Sequence, residues 1–176
     1  ELLVSLGPGV GAEASGSRRG GGGDHGAARG AEPAGLAQGA LVAVWGAAGA
    51  PGRTAVATHL AIDLAARGRS VLLVDGDCWS ASVAQLLGIP ESPSVTKAAR
   101  LAADGWPEPL SSCVHPGPRG VRVLTGLPRA DLWPEIRDRS WLAVLDRARS
   151  EAELVVVDVA APIEEDEELS FDRVPY

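Results

Sequence analysis

From residue 41 onward, apolar residues come in short unbroken runs separated by segments of longer period. Leu41-Val42-Ala43-Val44-Trp45 is apolar throughout and stops at Gly46, the pattern of a strand covered on both faces. In residues 53–67, Val56, Leu60 and Leu64 recur every four positions with alanines between them, and Arg67-Gly68 supplies a stop, which predicts a helix. Val71-Leu72-Leu73-Val74 is a second buried-type strand and ends at Asp75. A short helix fits 80–87, closing at Gly88, and another fits about 94–103. Val121-Arg122-Val123-Leu124 is a third strand, followed by a turn-rich stretch through Pro128 and Pro134, and 138–150 reads as a helix. Leu154-Val155-Val156-Val157 is a fourth strand, ending at Asp158. Strands alternating with helices predict an α/β fold: a parallel sheet with helices on both faces.

The first 40 residues differ in kind. They hold twelve of the 22 glycines, including Gly20 to Gly23, so about 7–40 reads as a flexible linker with too little apolar surface to offset its ordering entropy. Leu2-Leu3-Val4-Ser5-Leu6 reads either as the last strand or helix of an upstream domain or as an unstructured terminus. Residues 41–163 carry twelve Lys or Arg against thirteen Asp or Glu, and the acidic excess sits in Glu164-Glu165-Asp166-Glu167-Glu168, a solvated loop or tail over 164–176. Without a basic stripe, direct nucleic-acid contact from this segment is disfavoured. No apolar run approaches the ~20 residues of a spanning helix, so no membrane contact is expected either. Two cysteines, Cys78 and Cys113, exclude a disulfide scaffold, and with no secretory signal visible the cytoplasm is the expected compartment. The chain has no Met and starts at Glu1, which suggests a fragment; one Lys against fifteen Arg suggests a habit of using Arg for Lys.

The chemistry concentrates after the first strand of the alternating region. Gly46-Ala47-Ala48-Gly49-Ala50-Pro51-Gly52-Arg53-Thr54 is a small-residue loop that runs into a helix. Such a loop sets backbone N–H groups at a helix N-terminus, where orphan amides and the helix dipole attract phosphate, and large side chains would bar the oxygens. Arg53 supplies a cation for β/γ-phosphate charge and Thr54 a hydroxyl for Mg²⁺. Asp75 and Asp77 after the second strand, and Asp158 after the fourth, fall on the same edge of a parallel sheet, where carboxylates can hold Mg²⁺ and orient a water. A tight turn without a ligand is the plain alternative.

The stretch VAVWGAAGAPGRTAVATHLAIDLAARGRSVLLVDGDCWSASVAQLLGI resembles the opening of the ParA/MinD group of P-loop ATPases, in particular its CpaE-like branch, related to septum-site-determining and partitioning ATPases. VRVLTGLPRADLWPEI, AELVVVDV and EEDEELSFD are similar to later parts of that branch, so the resemblance covers about 41–172. The group's deviant Walker A pattern, K-G-G-x-G-K-T, falls on Ala48 to Thr54. The resemblance implies a nucleotide-binding stretch of Gly49, Ala50, Pro51, Gly52, Arg53, Thr54 and Ala55, with Arg53 at the phosphate position. It further implies metal ligation by Thr54, Asp75 and Asp158, catalysis by Asp77 and Arg53, and ATP and Mg²⁺ as cofactors. Partners would be a second copy of the chain across the nucleotide face and proteins of a partitioning or secretion system. Two departures stand out: the signature lysine is Ala48 and the P-loop lysine is Arg53, which points to ATP binding with slow hydrolysis or to a degenerate, non-hydrolysing scaffold for protein contacts. Family domains run about twice this ordered length, so 41–163 is expected to be a partial P-loop NTPase domain lacking its C-terminal half.

A rival pattern uses the same glycines. Gly46, Gly49 and Gly52 spell G-x-x-G-x-x-G, with Asp75 positioned for a ribose hydroxyl in an NAD(P)-binding Rossmann protein. No Tyr-x-x-x-Lys accompanies it, since Tyr176 and Lys97 are the only residues of their kinds. Cys113 and His115 lack the further ligands of a zinc site. Trp79, beside the acidic pair, is placed to report on nucleotide by its fluorescence.

Overall fold

The computed structural model describes residues 38–46 and 51–160 in full and residues 2–6 as backbone. Its elements run β1 (Leu2–Leu6), β2 (Ala40–Gly46), α1 (Arg53–Ala66), β3 (Val71–Gly76), α2 (Val83–Leu87), α3 (Val95–Ala103), β4 (His115–Pro116), β5 (Arg122–Leu124), α4 (Asp138–Glu151) and β6 (Leu154–Val159). The strands form one sheet in the order β1-β2-β6-β3-β5-β4. The four predicted strands make its parallel centre, and two antiparallel edge strands flank them.

Side-chain parity along the central strands sorts the core into two layers. Val42 and Val44 of β2, Val71 and Leu73 of β3, Val123 of β5 and Val156 of β6 meet α1 on one face. Leu72, Val74, Leu124, Val155 and Val157 meet α3 and α4 on the other. Asp75 continues the parity of Val71 and Leu73, and Asp158 that of Val156, so both carboxylates are set on the α1 face.

Four findings differ from the sequence expectation. Leu2–Leu6 pairs antiparallel with β2, Leu2 opposite Gly46 and Leu6 opposite Val42, so this piece extends the same sheet. On α1 the buried positions are Ala57, Thr58, Ala61 and Ala65, whereas Val56 is exposed. Methyl side chains let the helix approach the sheet closely, and the larger residues flank the contact. Helix α2 starts at Val83, three residues later than expected, because residues 77–82 turn around the Asp75 and Asp77 carboxylates. The edge strand β4 carried no apolar period, and its Pro116 is tolerated because it lies at the edge. The linker was read over about 7–40, but Ala40 already belongs to β2; residues 7–37 and the acidic tail lie outside the described residues.

Candidate functional site

The C-terminal ends of β2, β3 and β6 meet the start of α1. Register fixes this: Val44 of β2 lies opposite Asp158, and Asp158 opposite Asp75. Gly52 caps α1 with φ 89° and ψ 1°, a left-handed conformation natural to glycine, and its carbonyl accepts from the Val56 amide at 2.8 Å. The amides of the helix's first turn have no intrahelical acceptor and face outward along its axis. Beside them a cleft of about 530 Å³ opens between α1 and α2, lined by Gly52, Arg53, Thr54, Ala55, Ser82 and Gln85 among others.

Arg53, the first residue of α1, turns back across the sheet edge. Its guanidinium donates to Asp77 Oδ2 at 2.5 Å and, through Nε, to Asp158 Oδ1 at 3.2 Å. The three side chains are 13%, 6% and 0% exposed respectively, so this is an interior ion triad and not a surface pair. Burial pushes the Asp158 carboxyl upward, against the Thr54 hydroxyl and the Arg53 charge. Its second oxygen, Oδ2, is buried with no hydrogen-bond partner among the described residues.

Asp75 has a different task. Its Oδ1 accepts from the Asp77 amide at 3.2 Å, and its Oδ2 from the Ser82 and Val83 amides at 3.0 Å each, which pins the β3–α2 loop and caps α2. Burial raises its carboxyl from 3.8 to about 6, opposed by those amide bonds. Asp77 Oδ1 likewise accepts from the Trp79 and Ser80 amides at 2.9 and 2.8 Å. Two contributors escaped the sequence reading. Ser82 donates from Oγ to Thr54 Oγ1 at 3.4 Å, whereas the sequence reading had set it inside the helix predicted over 80–87. Gly126 backs Asp75 so closely that an added Cβ would lie 2.8 Å from its Cγ and 2.5 Å from Ala81 Cβ.

The residues named from sequence therefore separate. Arg53, Thr54, Asp77 and Asp158 converge. Asp75 adjoins them but spends both oxygens on the loop. Pro51 and Gly52 form the exposed turn into α1, and Ala55 lines the cleft. Gly49 and Ala50, with Ala48, lie outside the described residues. The donor set fits a hard cation at one point: the orphaned Asp158 oxygen and the Thr54 hydroxyl are both oxygen donors, the kind such an ion takes. No group of three or more His, Cys, Asp or Glu placed to hold a metal occurs among the described residues. Cys78 and Cys113 are free thiols, and His115 bonds the Pro93 carbonyl at 2.7 Å.

No family model matches this sequence, and neither does any curated protein. Solved structures do. The Pyrococcus furiosus cell division ATPase MinD superposes with a TM-score of 0.59 at 22% identity, over 70% of this chain and 51% of its own. The Pyrococcus horikoshii septum site-determining protein MinD, complexed with Mg-ADP, gives 0.56 at 23%, over 67% and 47%. A Mycobacterium smegmatis cobyrinic acid a,c-diamide synthase with a bound ATP analogue and magnesium gives 0.52 at 23%, over 67% and 49%. The fold is that of the MinD-type P-loop NTPases. The chain spans about half the length of these structures. In connectivity, β6, the last of the described strands, lies between β2 and β3, whereas the Rossmann order sets its first two strands side by side. The G-x-x-G-x-x-G reading fails on that ground. No helix among the described residues is long and apolar enough to cross a membrane.

Proposed function

We propose that this chain is the nucleotide-binding part of a cytoplasmic ParA/MinD-type ATPase of the CpaE-like, deviant Walker A kind, binding ATP with Mg²⁺ in the spatial organisation of the cell: chromosome partitioning, septum placement or assembly of a pilus or secretion pole. The observation that carries the reading is the convergence of a cation, a hydroxyl and two carboxylates, Arg53, Thr54, Asp77 and Asp158, at the open N-terminus of α1 on this fold. In this reading the first-turn amides and Arg53 receive the β- and γ-phosphates. Asp77 holds the attacking water once Arg53 has moved to phosphate. Thr54 and Asp158 are the residues that would hold Mg²⁺, which supplies charge neutralisation on the phosphate oxygens.

One observation favours a second reading. Arg53 is engaged by both carboxylates, so the arginine that should meet phosphate is already satisfied. A non-hydrolysing scaffold that retains the fold for contacts with a second copy, or with partitioning or secretion proteins, would suit that state. Phosphate release from ATP and Mg²⁺, measured with malachite green, separates the two. Release that falls to background in Asp77→Ala supports the ATPase; release no greater than that variant's supports the scaffold.

A further inference from the structure

The Arg53 triad solves one electrostatic problem and creates another. Three buried carboxylates, of Asp75, Asp77 and Asp158, meet at one sheet edge. Asp75 is steadied by three amides and Asp77 by two. Asp158 has no amide donor among its described bonds; its charge is met by the Thr54 hydroxyl and by the Arg53 Nε on Oδ1, while Oδ2 has no hydrogen-bond partner among the described residues. The guanidinium therefore lies against Asp158, the carboxylate that would hold a divalent ion together with Thr54.

We propose that Arg53 is a specificity-determining residue on the cation side of this site: held between Asp77 and Asp158, it bars a bare divalent ion and gives way only to a polyphosphate that draws it off. The proposal rests on the nucleotide-binding reading for its second half alone.

Each step follows from the geometry. A cation entering at Asp158 Oδ2 meets the fixed positive fork bonded to the other oxygen of the same carboxylate, in a nearly dry interior where like charges repel strongly. A planar guanidinium spans both aspartates at once, which a point-charge ammonium cannot do. Arg53 is also the first residue of α1 and lines the cleft between α1 and α2, so a rotation of its own side chain carries the fork from the carboxylates to that mouth. A polyphosphate there offers bidentate acceptors beside the helix amides. Once the fork leaves, Asp77 and Asp158 lose their counter-charge, and Asp158, with Thr54, then requires a divalent ion. Metal and polyphosphate thus enter together, each disfavoured alone.

The test uses Mn²⁺ alone, with free ion counted by electron paramagnetic resonance, on the wild type and on Arg53→Gln, Arg53→Lys and Arg53→Gln/Asp158→Asn. Wild type is expected to bind weakly, R53Q at least tenfold more tightly, R53K in between, and the double variant at the wild-type level. Mg²⁺ should raise the melting temperature of R53Q and leave that of wild type unchanged. Should R53Q fold only when Mg²⁺ is added, that is the same result in stronger form. Equal Mn²⁺ affinity in wild type, R53K and R53Q overturns the gate. A calorimetric titration with ATP, with and without Mg²⁺, tests the second half: wild-type affinity should fall at least tenfold in EDTA. ATP binding that ignores Mg²⁺ refutes the joint entry, and no ATP binding under either condition removes the nucleotide reading while the Mn²⁺ result still decides the gate.

Discussion

Replacing Arg53 by alanine should expose how much of the fold's stability this triad governs. The guanidinium serves two carboxylates that are 6% and 0% exposed. Removing one partner of a buried pair costs about 3–5 kcal/mol, because the remaining charge stays buried without compensation. The two pairs do not add. Asp77 keeps the Trp79 and Ser80 amides, so Asp158 is the charge left bare. We therefore expect a loss of about 3–4 kcal/mol at pH 7.5, against a total of roughly 5–15 kcal/mol for a typical domain. The sign of the pH dependence follows from linkage. Burial already raises the Asp158 carboxyl, and Arg53 is among the groups that hold it down. Without Arg53 it rises further above its unfolded value, so the variant is relieved by protonation at low pH and penalised as pH climbs. At pH 5 the loss should shrink toward the roughly 1 kcal/mol of an ordinary contact. Urea unfolding at both pH values, followed by tryptophan fluorescence, reads it out. A loss below 1 kcal/mol at pH 7.5, or one equal at both values, would refute the reasoning.

Two further substitutions probe the loop that supports the site. Gly126→Ala places a Cβ 2.5 Å from Ala81 and 2.8 Å from the Asp75 carboxyl carbon; overpacking of this kind costs about 1–3 kcal/mol, and chemical denaturation showing less than 0.5 kcal/mol would mean that the contact relaxes freely. Asp75, raised from 3.8 to about 6 by burial, contributes stability that is fully present below its unfolded value and lost as pH rises through about 6. The wild-type advantage over Asp75→Asn should accordingly fall by about 2–3 kcal/mol between pH 4 and pH 8, and a constant difference across that range would contradict the assignment.

Much of this arrangement could be read from the chain because it depends on local pattern. Unbroken runs such as Val71-Leu72-Leu73-Val74 announce strands buried on both faces, and the aspartates that end two of them, Asp75 and Asp158, mark the edge where they converge. The strand order was not legible: nothing local says that β6 inserts between β2 and β3. Nor was the face of α1, since four-residue spacing drew attention to Val56, Leu60 and Leu64 while the sheet selects the alanines for closeness. Within the site, residue types disclosed which groups gather but not whom each one serves. Asp75 and Asp77 look equivalent in sequence, yet one lies within β3 on the α1 face and binds amides, while the other lies just beyond it and binds Arg53. Ser82 and Gly126 act by proximity across the loop, which no spacing encodes.

The most direct measurement is calorimetric titration of ATP with Mg²⁺ into the wild type and into Gly52→Asp. Gly52 has open space around it, but its left-handed backbone strains any side chain placed there, so Gly52→Asn is run as the control: it carries the same strain without the negative charge that aspartate sets at the mouth of α1, and it should bind at least tenfold more tightly than Gly52→Asp. The account predicts one ATP bound per chain in the wild type and at least tenfold weaker binding in Gly52→Asp. Absence of binding in the wild type, or equal binding in both, would contradict it.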